Sequence, residues 1–267
     1  MAAEELIIKY PQIKTVSENF AIVAYGKLGG YELNYSSDLD VVFLHNNPSE
    51  LVHYTTRLSQ RIVHLLNTRT AAGVLYNVDT RLRPSGAAGL LVSHIDAFCQ
   101  YQQESAWTWE HQALVRARIV CGDETIAQRF TALRTKILCT KRKLTQLQQD
   151  IAGMRQRMLE NNPLLDLKHA EGGIIDSEFL VQFAVLAWSN KYPELATKTD
   201  NISIIEILAE SGIIKSSMAQ RFAEVYIKLR QLQNYVILRD VENDDLDLMP
   251  DNNFIRDLWQ LWIGNGE

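Results

Sequence analysis

The sequence has few cysteines, no long apolar run and no excess of basic residues, and each shortage excludes a class of protein. Its three cysteines, Cys99, Cys121 and Cys139, form no Cys-x-x-Cys pair, so we expect reduced structural thiols and a cytoplasmic location. The longest nearly apolar stretch, 180–188, is far shorter than the ~20 residues that cross a bilayer. Residues 1–10 mix acidic and basic side chains with apolar ones, which is not the pattern of a signal peptide. We therefore expect no membrane partner.

The charged residues are unevenly distributed along the chain. The 27 Lys and Arg residues against 32 Asp and Glu residues give a net charge of −5, and an apolar content of 46% excludes an unfolded chain. Residues 1–140 carry 13 basic and 13 acidic side chains, whereas residues 141–267 carry 14 basic and 19 acidic ones. Because neither part has the basic footprint that duplex binding requires, we expect no nucleic-acid partner.

Residues 1–140 have the pattern of a sheet domain with flanking helices. Short apolar runs separated by turn signals predict strands, and spacings of three and four predict an amphipathic helix. Ser93 is a candidate N-cap for a second helix. The predicted strands are 20–25, 39–44, 73–78, 89–92 and 113–120, and the first predicted helix is 51–65.

Residues 141–267 have an almost entirely helical pattern. Apolar residues three and four apart predict helices at 144–158 and 218–236. The segment 176–188 is apolar on most faces, so we expect it to be a central buried helix. The predicted fold class is therefore α+β, with a mixed sheet domain over 1–140 and an all-α helical bundle over 141–267.

One glycine-rich segment carries the strongest functional signal. Residues 24–40 read Ala-Tyr-Gly-Lys-Leu-Gly-Gly-Tyr-Glu-Leu-Asn-Tyr-Ser-Ser-Asp-Leu-Asp, which joins one predicted strand to the next. Glycines such as Gly29 and Gly30 let a backbone approach a phosphate and offer it N–H groups, and Ser37 adds a hydroxyl donor. Lys27 is either a phosphate contact or a solvated turn residue.

Two carboxylates end this segment. Asp38 and Asp40 are two residues apart, so on a strand both project from one face with Cα atoms ~6.5–7 Å apart. Like charges this close raise each other's pKa unless a cation lies between them, and a pair of divalent ions can serve phosphoryl transfer. A second Asp-x-Asp sequence at 245–247 follows no glycine turn and is interpreted as a solvated acidic loop.

A third carboxylate and four arginines complete the candidate constellation. Asp79 ends the predicted strand 73–78, and Arg81 and Arg83 alternate behind it as if on one strand face. Arg116 and Arg118 repeat the same spacing further along the chain. These arginines are either solvated surface or ligands for a polyanion such as a nucleoside triphosphate.

Residues 26–40 resemble the signature of the glutamine synthetase adenylyltransferase family, which lies within the nucleotidyltransferase superfamily. The resemblance continues through 78–86, 107–118 and 171–179, and it covers roughly the length of the chain. The sequence Trp-Thr-Trp-Glu-His-Gln-Ala-Leu, at 107–114, is most similar to the C-terminal, AMP-transferring half of these bifunctional enzymes. A nucleotidyltransferase-type fold is therefore expected for residues 1–140.

The resemblance also implies a site and its ligands. Asp38, Asp40 and Asp79 are expected to hold two Mg²⁺ ions, with Mn²⁺ as an alternative, and Gly29, Gly30 and Ser37 are expected to surround the triphosphate of ATP. The expected protein substrate is glutamine synthetase, and the PII signalling protein is a further partner that would act through segments outside this chain.

The leading hypothesis for function is AMP transfer from ATP to a tyrosine hydroxyl of glutamine synthetase, which down-regulates the synthetase. Three alternatives stay open: phosphorolytic removal of that AMP, a non-catalytic nucleotide-binding module, and a template-free RNA polymerase. Three further residues, at the start of the predicted buried helix, either face the nucleotide or complement the helix dipole. They are Lys168, Asp176 and Glu178.

Overall fold

The computed structural model describes residues 2–71, 73–74, 76–161, 167–239 and 252–264. These described residues fall into two compact units: a sheet unit within residues 1–33 and 37–137, and a helical unit within residues 34–36 and 138–267. The predicted α+β fold class is confirmed, because one unit carries a mixed sheet and the other is helical in its described part. The acidic sequence at 245–247 lies outside the described residues.

A five-stranded mixed sheet is the centre of the sheet unit. Its strands are β1 (Phe20–Ala24), β2 (Leu39–His45), β3 (Val78–Asp79), β4 (Val92–His94) and β5 (Arg118–Gly122). The order is β3-β2-β1-β5, and β4 also pairs with β2. β1 is antiparallel to β2 and β5, whereas β3 and β4 are parallel to β2.

The register along β2 places polar residues at both of its ends. β3 pairs with the start of β2 so that Asp40 lies opposite Asp79, and β4 pairs with its end so that His45 lies opposite His94. Both pairings join residues that are far apart in sequence. The five residue steps from Asp40 to His45 span about 16 Å along the strand, so the two pairs lie at separate locations.

Helices flank this sheet because the central strands are apolar on both faces. β1 and β2 are buried along nearly their whole length, and α2 and α4 cover residues such as Phe20, Val41 and Phe43. The helices in this part of the chain are α1 (Ala2–Ile7), α2 (Gln12–Glu18), α3 (Gly26–Gly29), α4 (Val52–Asn67), α5 (Ile95–Glu104), α6 (Thr108–Val115) and α7 (Glu124–Leu138).

Several predicted boundaries in the sheet unit are wrong. The run 113–120 begins inside helix α6, and strand β5 starts only at Arg118. The helix starts early because the Glu110 carboxylate accepts the backbone N–H of Trp107 at 2.9 Å, which caps its first turn. The N-cap of α5 is His94 and not Ser93. Strand β3 is much shorter than the predicted run 73–78.

The helical unit is built around one buried helix. Its helices are α8 (Leu144–Asn161), α9 (Ile174–Trp188), α10 (Asn201–Glu210), α11 (Ser216–Arg239) and α12 (Asn253–Trp262). α9 contacts the other four and is buried on nearly all sides, as its apolar sequence predicts. At its end, the rings of Trp188 and Trp262 meet edge to face with centroids 5.1 Å apart. Among the described residues, no helix combines the length and apolarity that crossing a membrane needs.

Candidate active site

A glycine turn follows directly from β1. Gly26, the first residue of the single-turn helix α3, has a φ of +53°, a conformation that favours glycine. A Cβ atom at Gly26 would overlap the Oδ2 atom of Asp40, so the backbone of the turn lies directly against that carboxylate. A Cβ atom at Gly29 would overlap the carbonyl oxygen of Arg116. Close approach therefore requires glycine at both positions.

The N–H groups of Gly29 and Gly30 are engaged within the turn. Gly29 donates to the carbonyl of Tyr25 at 2.9 Å, and Gly30 donates to the carbonyl of Gly26 at 3.0 Å. Their assignment to a triphosphate therefore depends on the resemblance and not on free donors in this conformation. Ser37, which follows the turn in the sequence, is buried, with 5% of its surface exposed. Lys27, on α3, favours ionisation of Asp40 and so acts to lower its pKa.

The three predicted carboxylates influence one another electrostatically. Asp40 and Asp79 are register partners on adjacent parallel strands, whose backbones lie about 4.8 Å apart. Burial, followed by the negative charges of Asp79 and Asp38, raises the pKa of Asp40 to about 6. Asp38 is exposed and precedes β2, which begins at Leu39, so the prediction that both Asp38 and Asp40 lie on the strand is wrong for Asp38.

Arg81 forms a hydrogen-bonded ion pair with the carboxylate of Asp79. Its backbone N–H donates to Oδ1 and its Nε donates to Oδ2, both at 2.8 Å. These hydrogen bonds hold the pKa of Asp79 below its usual value. The side chain of Arg81 is otherwise 78% exposed, so it is free to leave without disturbing a packed core.

The donor set suits a divalent cation. Asp40 and Asp79 present carboxylate oxygens from adjacent strands, and Mg²⁺ and Mn²⁺ prefer such ligands. The raised pKa of Asp40 reflects its burial first and then the negative charges of Asp79 and Asp38, which a cation would neutralise. Within the described ranges, no group of three or more His, Cys, Asp and Glu side chains is arranged to hold a metal ion. Binding by all three aspartates therefore requires Asp79 to exchange Arg81 for the cation.

Arg83 organises a loop. Residues 80–85 form turns, so the predicted strand face carrying Arg81 and Arg83 is wrong. The Arg83 guanidinium donates to the carbonyls of Thr80 at 2.7 Å, Ala87 at 3.1 Å and Gly89 at 3.1 Å. These hydrogen bonds, from all three nitrogens of the guanidinium, tie the residues after Asp79 to the far side of the loop.

Arg116 and Arg118 hold the segment that carries the glycine turn. Arg116 follows α6, is buried, and pairs with Glu32 at 2.7 Å. Arg118 donates from Nε to the Gly29 carbonyl at 3.0 Å and stacks on the ring of Tyr31 at 3.7 Å. The predicted common strand face is wrong, because Arg116 precedes β5. Sequence reasoning missed Glu32 and Tyr31, although both lie inside the family-like segment 26–40.

The candidate residues of the helical unit have local partners. Asp176 is buried and forms an ion pair with Arg155, and it accepts the N–H of Gly172 at 2.7 Å. Burial, the largest influence, raises the pKa of Asp176 despite these contacts. Glu178 accepts a hydrogen bond from a tyrosine on α11, and Lys168 is exposed in a turn. These contacts favour the structural interpretation of Asp176.

Comparison with known protein families gives one match for each part of the chain. Residues 3–133 match the model of the glutamate-ammonia ligase adenylyltransferase family. Residues 140–257 match the model described as GlnD PII-uridylyltransferase. The boundary between the matches falls close to the boundary between the two structural units.

The mixed sheet, the glycine turn against paired aspartates and the two matches define an enzyme of the nucleotidyltransferase class. Within this class, residues 3–133 match the model of the glutamate-ammonia ligase adenylyltransferase family, which makes the chain an adenylyltransferase. The resemblance to this family described from the sequence is thereby confirmed for residues 3–133. The helical unit adds a feature that the resemblance did not give, its match to a PII-uridylyltransferase.

Gly26→Ala is expected to lower the rate of nucleotidyl transfer about 100-fold, because misplacing a reacting group by about 1 Å has an effect of that size. The new Cβ would displace the Asp40 carboxylate, and the left-handed backbone would add about 1–2 kcal/mol of strain. Steady-state kinetics and thermal unfolding measure the two effects. The control is Gly153→Ala, at a helical glycine where a Cβ meets no atom within 4 Å. Wild-type kinetics for Gly26→Ala would contradict the close contact.

Proposed function

We propose that this chain transfers AMP from ATP to a tyrosine hydroxyl of glutamine synthetase, releasing pyrophosphate and down-regulating the synthetase. The observation that carries the proposal is the pairing of Asp40 with Asp79 against the glycine turn. That arrangement lies inside the segment matched by the glutamate-ammonia ligase adenylyltransferase family, and glutamate-ammonia ligase is glutamine synthetase.

In this proposal Asp38, Asp40 and Asp79 hold two Mg²⁺ ions, with Mn²⁺ as a substitute. When bound, the ions neutralise charge on the phosphate oxygens of ATP. Asp40 is held in place by the backbone of Gly26, so one carboxylate is positioned before substrate arrives. Arg81 neutralises Asp79 until the substrate complex forms and is then released toward the triphosphate.

Arg116 and Arg118 act indirectly in this proposal. Both hold the segment 28–32, and through it they fix the glycine turn against Asp40. Their positive charges also contribute to the potential that attracts a triphosphate. We assign them to positioning, and we assign Lys27 and Ser37 to the nucleotide.

We further propose that the PII signalling protein is a regulatory partner. The support is the match of residues 140–257 to a PII-uridylyltransferase, an enzyme whose name describes action on PII. A cytoplasmic location is part of the same proposal, because both glutamine synthetase and PII would have to be reached there.

Mass spectrometry of glutamine synthetase incubated with the chain, ATP and Mg²⁺ tests the proposal. We expect a gain of one AMP on a tyrosine and an equal amount of pyrophosphate. Asp38→Asn is expected to slow transfer by roughly 100-fold or more, because a metal ligand contributes several kcal/mol to the barrier. The matched control is Asp257→Asn, an exposed aspartate on α12.

The same assay separates the alternatives. Release of ADP from adenylylated glutamine synthetase in phosphate, without forward transfer, would favour phosphorolytic removal. Binding of ATP without modification of the synthetase would favour a non-catalytic module. Incorporation of AMP into added RNA would favour a polymerase, and each of these results contradicts the proposed transfer.

A further inference from the structure

A cavity lies in the sheet unit, at the end of β2 opposite to Asp40. Its volume is about 690 Å³, and its lining comes from β2, α4, β4, α5 and the loop organised by Arg83. His45 and His94 line it, together with Val52, Leu90 and Phe98. This volume falls within the range of about 300–1,000 Å³ that small-molecule sites occupy.

Two histidine side chains supply the polar groups that matter most in this cavity. They are register partners on β2 and β4, with ring centroids 5.2 Å apart. The Nδ1 atom of His45 accepts the backbone N–H of Asn47 at 3.1 Å, and the Nδ1 atom of His94 accepts the backbone N–H of Asp96 at 3.2 Å. In each neutral ring the proton therefore lies on Nε2. Both residues thus carry one N–H donor beside the cavity.

The charge around these donors favours an uncharged ligand. Burial and the neighbouring His94 lower the pKa of His45 to about 4, so His45 is neutral at pH 7. The Nδ1 atom of His94 also lies 3.4 Å from the Asp96 carboxylate, whose charge is balanced by Arg129. An ionised ligand group would lose its water shell in a largely apolar cavity without meeting a full positive charge.

The loop on one side of the cavity is held in its conformation. Arg83 donates to the carbonyls of Ala87 and Gly89, and a Cβ atom at Gly89 would overlap the carbonyl oxygen of Pro84. Ser85 has a φ of +61°, a left-handed conformation that the surrounding hydrogen bonds maintain. A wall constrained in this way is preformed, which lowers the entropic cost of binding.

We propose that this cavity binds an uncharged small molecule with an apolar body and a carbonyl group, which accepts the Nε2–H donors of His45 and His94. One carbonyl oxygen has two lone pairs and can accept from both rings. The apolar body would pack against Val52, Leu90 and Phe98. This site is independent of the proposed AMP transfer, because it lies at the other end of β2.

Nuclear magnetic resonance of the full chain with benzamide, benzoate and toluene tests the proposal. Long-range ¹H–¹⁵N spectra of the histidine rings report both the tautomer and the contact. We expect benzamide to shift the Nε2 signals of His45 and His94 saturably at pH 7.5. Benzoate should bind at least tenfold more weakly, and toluene should bind without shifting Nε2.

His94→Asn tests the hydrogen-bond donor without removing the N-cap of α5. Asparagine is a good N-cap and can keep the acceptor for the N–H of Asp96, whereas it removes the ring N–H. We expect benzamide to bind five- to tenfold more weakly, as loss of about one hydrogen bond predicts, while toluene is unaffected. The matched control is His64→Asn, on α4 and outside the cavity lining. Ala97→Trp, at a lining residue that is exposed, should block all three probes.

Three results would overturn the proposal. Benzoate binding more tightly than benzamide would exclude an uncharged ligand. Nδ1-protonated rings in the spectra would remove the two donors. Equal benzamide affinity in the wild type and in Ala97→Trp would place binding outside the cavity. Separately, AMP-transfer activity is measured for each variant, and wild-type activity would show that the binding results do not depend on the catalytic proposal.

Discussion

Replacing Asp40 with asparagine is expected to slow AMP transfer by about 1,000-fold or more and, without divalent ions, to stabilise the sheet unit at pH 8. The carboxylate lies against the backbone of Gly26 and opposite Asp79, so it contributes negative charge at the proposed cation site. Its loss removes a ligand that neither neighbouring residue can replace. A 1,000-fold loss corresponds to about 4 kcal/mol of barrier.

The same substitution is expected to raise stability although it lowers activity, because ionising the buried Asp40 carboxyl costs free energy of folding. Its pKa is about 6 in the folded protein, above its unfolded value of 3.8. Stability contributed by the protonated carboxyl is complete below pH 3.8 and is lost as the pH rises through 6. At pH 8 the ionised carboxylate therefore destabilises the fold by up to about 3 kcal/mol, an order-of-magnitude figure. Asparagine does not carry this cost.

Urea unfolding at pH 4 and pH 8, with and without Mg²⁺, measures this second effect. We expect Asp40→Asn to match the wild type near pH 4 and to exceed it at pH 8 without metal, and we expect Mg²⁺ to stabilise only the wild type. Glu50→Gln, at an exposed position of the same unit, should behave like the wild type under all conditions. Lower stability of Asp40→Asn at pH 8 would show that Asp40 has favourable contacts that compensate its burial.

Arg155→Leu is expected to destabilise the helical unit by about 3–5 kcal/mol, because it leaves a buried carboxylate without its partner. Arg155 on α8 and Asp176 on α9 are 5% and 6% exposed, and they form an ion pair with each other. Arg155 also donates to the carbonyl of His169 at 2.6 Å, so its loss leaves a further, partly buried acceptor without this donor. The pair thus joins the central helix to its neighbour.

Near-ultraviolet circular dichroism in a Trp107→Phe/Trp109→Phe background can follow this unit separately, since the remaining tryptophans, which include Trp188 and Trp262, all lie within it. Separate probes are needed because a protein with two units need not unfold in one step. The control is Arg157→Leu, an exposed arginine in the same helix. Arg155→Leu combined with Asp176→Leu should recover much of the loss, because no buried charge remains. Equal stability of the single variant and the wild type would show that the pair contributes nothing.

Lowering the pH should reduce the destabilisation that Arg155→Leu causes. Burial already raises the pKa of Asp176, and removing Arg155 would raise it further. Protonation of Asp176 at low pH removes the uncompensated charge, so the difference between Arg155→Leu and the wild type should shrink as the pH falls.

Local signals predicted the elements that local interactions determine. The apolar runs of β1 and β2 and the spacings of α4, α8 and α11 are recognisable because each residue's burial follows from its own position in the repeat. The segment 113–120 was predicted incorrectly because its alternating arginines imitate a strand. The cap formed by Glu110 decided that residues 108–115 are helical.

In the candidate site, too, local sequence patterns revealed some features, whereas others depend on long-range contacts. The glycine turn and its aspartates were identified from 17 consecutive residues, 24–40. The partners of the arginines were not predictable, since the pairing of Arg116 with Glu32 joins residues 84 positions apart. A spacing of two residues shows that side chains share a face only if both lie on a strand, and Arg81, Arg83 and Arg116 do not.

The sequence by itself determined that this protein has few cysteines and no long apolar run, that it is an α+β nucleotidyltransferase, and that three aspartates and a glycine turn are its candidate chemistry. Only the tertiary structure decided that Arg81 hydrogen-bonds the carboxylate of Asp79 and that Arg83 organises a loop. It also decided that His45 and His94 meet at the cavity at the far end of β2. The physical reason is the parallel pairing of β3 and β4 with β2. This pairing brings together residues about 40 to 50 positions apart, a contact that no local pattern encodes.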